Sequence, residues 1–200
     1  MVLGEHKNDI DLGTDIVTSM DAEFHDTSDR VVAVIGASYL DAVVEALIRA
    51  AFLAEEKETE ALLGLDRPLG SASSRYQLAY CLCLITKKER DDLKMVARIR
   101  NAFAHRYGVT SFEHAEPQKH LAKLHHGEEF KQIVQQLLNE ATDEDQRKYL
   151  SRIAESGRRL FQDTVRNLFV TLLGKVNRVS RVQPGSWYCS EPNGGKPGAA

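Results

Sequence analysis

VVAVIGASYLDAVVEALIRAAFLA, residues 31–54, decides the fold. Nearly every position is apolar or small. The exceptions Ser38, Asp41, Glu45 and Arg49 are spaced by three, four and four, which is one narrow stripe on a helix of 3.6-residue period. Thr27, Ser28 and Asp29 place capping oxygens just before the run. The charges at 41, 45 and 49 make it a poor membrane span. It reads as the central helix of an all-α bundle. Its apolar circumference exceeds what a small bundle needs, which predicts a homodimer.

The rest of the chain fits one such domain. Two hundred residues, 42% apolar and 28% charged, suffice for a single core. Residues 1–26 are polar and acidic and read as a loosely docked, flexible arm. Residues 27–181 carry the bundle. Residues 182–200 are rich in Gly and Pro and are expected to be disordered. No basic stretch followed by an apolar core opens the chain, so no secretory signal is expected. Cys81 and Cys83 lie two apart, on different faces of a helix, which disfavours both a disulfide and a zinc site. A reducing cytoplasm is the expected setting.

Downstream, Gly64 and Asp66-Arg67-Pro68-Leu69-Gly70 mark a turn. Ser71 caps a helix over about 72–85. Thr86-Lys87-Lys88-Glu89 is a capping box that opens another, ending near His105. Short helices are expected over 118–124 and 128–138, with room for a short strand pair over 109–112. One long helix is expected over about 143–179, with Gly157 inside it, at a cost of about 1 kcal/mol relative to Ala, as the point where it can kink.

Charge and chemistry sit unevenly on this frame. Residues 1–66 hold 15 Asp/Glu and 4 Lys/Arg, whereas residues 147–181 hold 2 and 9. The asymmetry fits internal or dimer complementarity, or a basic surface for nucleic acid. Lys148, Arg152, Arg159 and Arg166, spaced by four, seven and seven, form the candidate nucleic-acid face, with no groove-reading motif behind it. Arg100 falls among the apolar positions of its helix and must find a partner or water. Asp41 and Glu45 are the expected partners in a structural ion pair, with anion binding as the alternative. His120, His125 and His126 complete no metal spacing, so no metal and no cofactor are implied.

Two resemblances follow from these residues. Arg100-Asn101-Ala102-Phe103-Ala104-His105 is similar to the Arg-x4-His signature of the HEPN superfamily. That resemblance implies a metal-independent ribonuclease using Arg100, Asn101 and His105, the His moving a proton and the Arg neutralising a phosphorane. On a straight helix, however, positions five apart diverge by about 140°. The Arg67-Pro68-Leu69-Gly70-Ser71 loop resembles the mannitol-operon repressor (MtlR) family. So do Arg75-Tyr76-Gln77-Leu78-Ala79-Tyr80, Leu84-Ile85-Thr86, and the stretch from Arg98 to His105. This second resemblance implies an all-helical protein without a standard DNA-binding motif that represses a sugar-uptake operon, and it leans away from an enzyme. It would act through a protein partner or weak, salt-dependent DNA contacts. Nothing in the residues points to mannitol.

Overall fold

The computed structural model describes residues 6–52 and 55–181, with side chains from Asp15 onward. Within these residues the chain forms nine helices and no strand. They are α1 (His6–Phe24), α2 (Asp29–Ala51), α3 (Glu56–Leu63), α4 (Ala72–Cys81), α5 (Lys87–His105), α6 (Ala115–Leu121), α7 (His126–Glu140), α8 (Glu144–Glu155) and α9 (Gly157–Val176). The all-α class expected from the sequence is the class observed. The expected strand pair over 109–112 is replaced by an irregular linker. Side chains satisfy its backbone: Asp29 accepts from the Phe112 N–H at 2.9 Å, and Arg30 donates to the Val109 carbonyl at 3.1 Å.

α2 is central. Ser28 caps it by accepting from the Val31 N–H. Ten of its residues are buried, from Val32 to Ala51, against α9, α5 and α4. Burying each large apolar side chain contributes about 1.5–3 kcal/mol. Gly36 lets α9 come close, since a Cβ there would lie 3.0 Å from the Phe161 ring. Phe103, Phe112 and Phe161 follow as a column, each neighbouring pair of rings 4.9 Å apart. The exposed line of α2 differs from the expected polar stripe. It runs through Val31, Val34, Ser38, Ala42 and Ala46. Asp41, Glu45 and Arg49 are half-buried beside it, because α3 and α4 cover them with bonding partners.

The segment expected to be a loosely docked acidic arm enters the core at its C-terminal end. Met20 and Phe24 are buried, and Ile16 and Val17 pack beside them. The spacing 16, 17, 20, 24 is one helical face that the acidic composition obscured. Arg158 clamps this end by donating to the carbonyls of Phe24 and Thr27 and to Asp29, at 2.7, 2.8 and 2.8 Å. Arg30 bonds the carbonyls of Phe103 and Val109, placing a cation at the negative end of α5. The expected tail, 182–200, lies outside the described residues.

The single helix expected over 143–179 is two helices. Ser156 leaves the helical conformation, at φ −81° and ψ 108°, and caps α9 by accepting from Arg159. The Gly157 N–H donates to Glu113 at 3.0 Å. A Cβ on Gly157 would lie 2.8 Å from the Gln118 amide and 3.0 Å from Leu121, so a larger residue here would require those side chains to move. α7 and α8 form a hairpin beside the bundle. Its buried Phe130, Val134, Ala141 and Leu150 stand apart from the contiguous core.

Candidate functional site

The motif residues of α4 and α5 meet α2 in a polar network. The loop before α4 turns tightly. Asp66 sits at φ 61°, and a Cβ on Gly70 would lie 2.8 Å from the Gly64 carbonyl. Ser71 then accepts from the Ser74 N–H at 3.1 Å, which starts α4 and lays Arg75 and Tyr76 against α2. Tyr76 is fully buried and its hydroxyl donates to the Asp41 carboxylate. Arg75 donates to Glu45 at 2.7 Å. Arg49 ties Glu45, Glu56 and Glu60 together at 2.9, 3.0 and 2.7 Å, which binds α3 to the same face.

Burial pushes the Asp41 carboxyl above its ordinary value, against the Tyr76 hydrogen bond and the charges of Arg75 and Arg100. Burial also raises the Tyr76 hydroxyl far out of its ordinary range, with the Asp41 charge adding to it. One atom of the network is left over: Arg75 Nε is buried with no hydrogen-bond partner among the described residues.

Arg100 lies close enough for its charge to reach Asp41 and Tyr76, but it is only half-buried. The expected ion pair with Asp41 or Glu45 is not formed: among the described residues Arg100 makes no hydrogen bond or ion pair. Tyr76 holds Asp41, while Arg75 and Arg49 hold Glu45. Asn101 and His105 are exposed. α5 runs unbroken through His105, so Arg100 and His105 remain about 140° apart and share no cleft within one chain.

The basic stripe is interrupted as well. Lys148 and Arg152 lie on α8, Arg159 and Arg166 on α9, and the break at Ser156 removes the continuous face. Lys148, Arg152 and Arg159 are exposed and have no ion pair among the described residues. Arg166 is bonded to Asp21 at 2.5 Å and lies 3.7 Å from Asp163. With the Arg158–Asp29 pair at 2.8 Å, part of the acidic-front, basic-back asymmetry is therefore satisfied internally.

A second network, absent from the sequence reading, joins the α7–α8 hairpin to the bundle. Buried Asp92 on α5 accepts from the N–H groups of His125 and His126 at 2.7 and 3.1 Å, satisfying donors at the start of α7. His126 Nε2 lies 2.7 Å from Asp163, and Nδ1 lies 3.5 Å from Glu129. The Asp163 hydrogen bond, followed by its charge and that of Glu129, raises the imidazole pKa against the opposing effect of burial. A carboxylate beside the apolar positions of α5 was the available clue. Among the described residues no group of three or more His, Cys, Asp or Glu is placed to hold a metal.

No protein-family model and no curated protein matches the chain. Among solved structures, it is similar to a chain of the MtlR–HPr complex from Escherichia coli. The TM-score is 0.55 at 20% identity, covering 82% of this chain and 97% of that one. The likeness spans nearly the whole of the solved chain, and it is one of architecture: this protein has an MtlR-like fold.

Proposed function

We propose that the chain is an MtlR-like regulator, a repressor of a carbohydrate-uptake operon that acts by binding a protein partner. The observation carrying this reading is the fold shared with a chain solved in complex with HPr, over 97% of that chain. The surface supports it. The α7–α8 hairpin exposes Ile133, Leu137 and Tyr149, at 55%, 43% and 58%, and its second helix, α8, also carries Lys148 and Arg152. Exposed apolar side chains rimmed by charge suit a transient protein interface. Nucleic-acid contact in this reading falls to Lys148, Arg152 and Arg159, a phosphate surface that salt would weaken. A dimer would use the exposed α2 line from Val31 to Ala46, and sedimentation at micromolar concentration tests it, a monomer mass ruling it out.

The decisive experiment titrates the purified chain with HPr from its own organism by calorimetry. Saturable binding with Kd of about 1–100 μM is expected. Leu137→Glu with Tyr149→Ala should weaken it about tenfold if the hairpin is the docking face. Absence of binding at the highest concentration would sink the partner reading. Incubation with structured RNA under chelator provides the contrast. Cleavage lost in both Arg100→Ala and His105→Ala, with folding intact, would transfer the assignment to a ribonuclease.

A further inference from the structure

A groove of about 580 Å³ runs between the end of α1 and α9. That volume is in the range of small-molecule sites. Arg158, Arg159, Gln162 and Arg166 form one wall, and Asp21 and Asp26 stand on the other. Arg159, Gln162 and Arg166 are three and four residues apart, so they stack along a single face of α9. Their states differ in a way that points to a ligand. Arg158 is committed to the α1–α2 turn by its three bonds. Arg159 is exposed and, among the described residues, has no side-chain partner.

Gln162 is only 7% exposed, and its Oε1 is buried with no hydrogen-bond partner among the described residues. A buried amide left unsatisfied costs about 1–3 kcal/mol, an anomaly in a helix otherwise so well bonded. Arg166 is held by Asp21 in a pair that is 40% and 41% exposed. A pair that open to water contributes little and opens readily.

We propose that this groove binds a small molecule carrying a phosphate or carboxylate beside hydroxyl groups. Arg159 takes the oxyanion. Gln162 turns its amide, whose buried carbonyl lacks a donor, onto a hydroxyl. Arg166 leaves Asp21 to close on the same oxyanion, and the freed Asp21 accepts from a remaining hydroxyl, beside Asp26, which lies 2.9 Å from His25 Nδ1. The arginines supply charge-assisted bonds of the kind that recognise oxyanions. The facing carboxylates exclude simple polyanions and require donors on the ligand. The site is independent of the HPr-binding reading and lies on different helices from the proposed hairpin face.

The test uses the full chain and three probes: glycerol 3-phosphate, glycerate and glycerol, each titrated calorimetrically at low salt. At least one anion should bind saturably while glycerol does not. Which anion binds distinguishes a phosphate from a carboxylate ligand. Arg159→Ala should lower that affinity about tenfold or more without changing the melting temperature, since the side chain is exposed and unpaired. Arg166→Gln should weaken binding by a smaller factor, because this arginine must first leave Asp21. Lack of binding by both anions up to about 10 mM would overturn the proposal. So would equal binding of glycerol, or binding that Arg159→Ala leaves unchanged. Titration with HPr is read separately, so either conclusion can fail alone.

Discussion

The bundle around α2 and the hairpin of α7 and α8 are built from amphipathic helices, yet they bury very different amounts. α2 buries ten residues, mainly on α9, α5 and α4, whereas α8 buries only Leu150. The bundle is held by the Phe103–Phe112–Phe161 column and the Arg158 and Arg30 clamps. The hairpin is held by a small apolar cluster and by polar anchors at one end, Asp92 and the His126–Asp163 pair. Few apolar contacts and polar anchoring mark a unit that opens below the global free energy. The division places rigidity where α2 is enclosed. It leaves exposed apolar side chains where a partner could reach them.

Core truncation separates the two regions most strongly. Phe161 is fully buried between Phe112 and the Gly36 approach. Phe161→Ala should cost about 3–5 kcal/mol in global denaturation. Leu150→Ala, at a site 8% exposed outside the main core, should cost less and should speed hydrogen exchange mainly in α7 and α8. Equal global losses from the two would show one cooperative unit instead.

The polar anchor comes next. Asp92→Ala strands two N–H donors at the start of α7 and should cost about 1–3 kcal/mol. Increased protease cleavage near His125, with the bundle still folded, would locate the loss in the hairpin. A loss spread evenly over all helices would contradict the hairpin's partial independence.

The same junction should respond to pH. The His126 pKa is raised in the folded state from 6.5, so its contribution is fully present below that value and lost as pH rises through the raised one. The groups facing it are Asp163, Glu129, Asp92 and, through Asp163, Arg166. Stability measured from about pH 6 to pH 9 should therefore fall more in the parent chain than in His126→Gln. Identical slopes would mean that the His126–Asp163 contact carries no net proton linkage.

Much of this comparison was legible in the residues, and the gaps have physical causes. The Ser28, Ser71 and Thr86 caps and the apolar run of α2 are local signals, and the helices begin where they say. The α8–α9 break was legible only as a point of kinking at Gly157, because the Gln118 and Leu121 side chains that pack against it arrive through tertiary contacts. The seating of α1 was obscure because its acidic composition outweighed four apolar positions. At the polar network, the residues offer Asp41 and Glu45 as partners for Arg100, and the structure gives them others. Their partners come from residues 30 to 35 positions away, Arg75 and Tyr76. Periodicity of one helix cannot say which of several cations or donors arrives first.

That competition sets the smallest prediction. A buried Arg100 paired with Asp41 would make Arg100→Ala cost several kcal/mol, since a buried partner charge would be stranded. In the structure Asp41 already holds the Tyr76 hydroxyl, Glu45 already holds two arginines, and Arg100 is half-buried without a bond among the described residues. Its remaining influence is the field it exerts on Asp41, partly screened by water. Arg100→Ala should therefore change stability by less than about 1 kcal/mol. Tyr76→Phe removes the donor that Asp41 uses and should cost more, about 1–3 kcal/mol. Combining the two tests whether Arg100 is a reserve partner. If Arg100 moves onto Asp41 once the hydroxyl is gone, Arg100→Ala should become costlier in the Tyr76→Phe background. If the two losses simply add, Arg100 is not positioned to replace Tyr76.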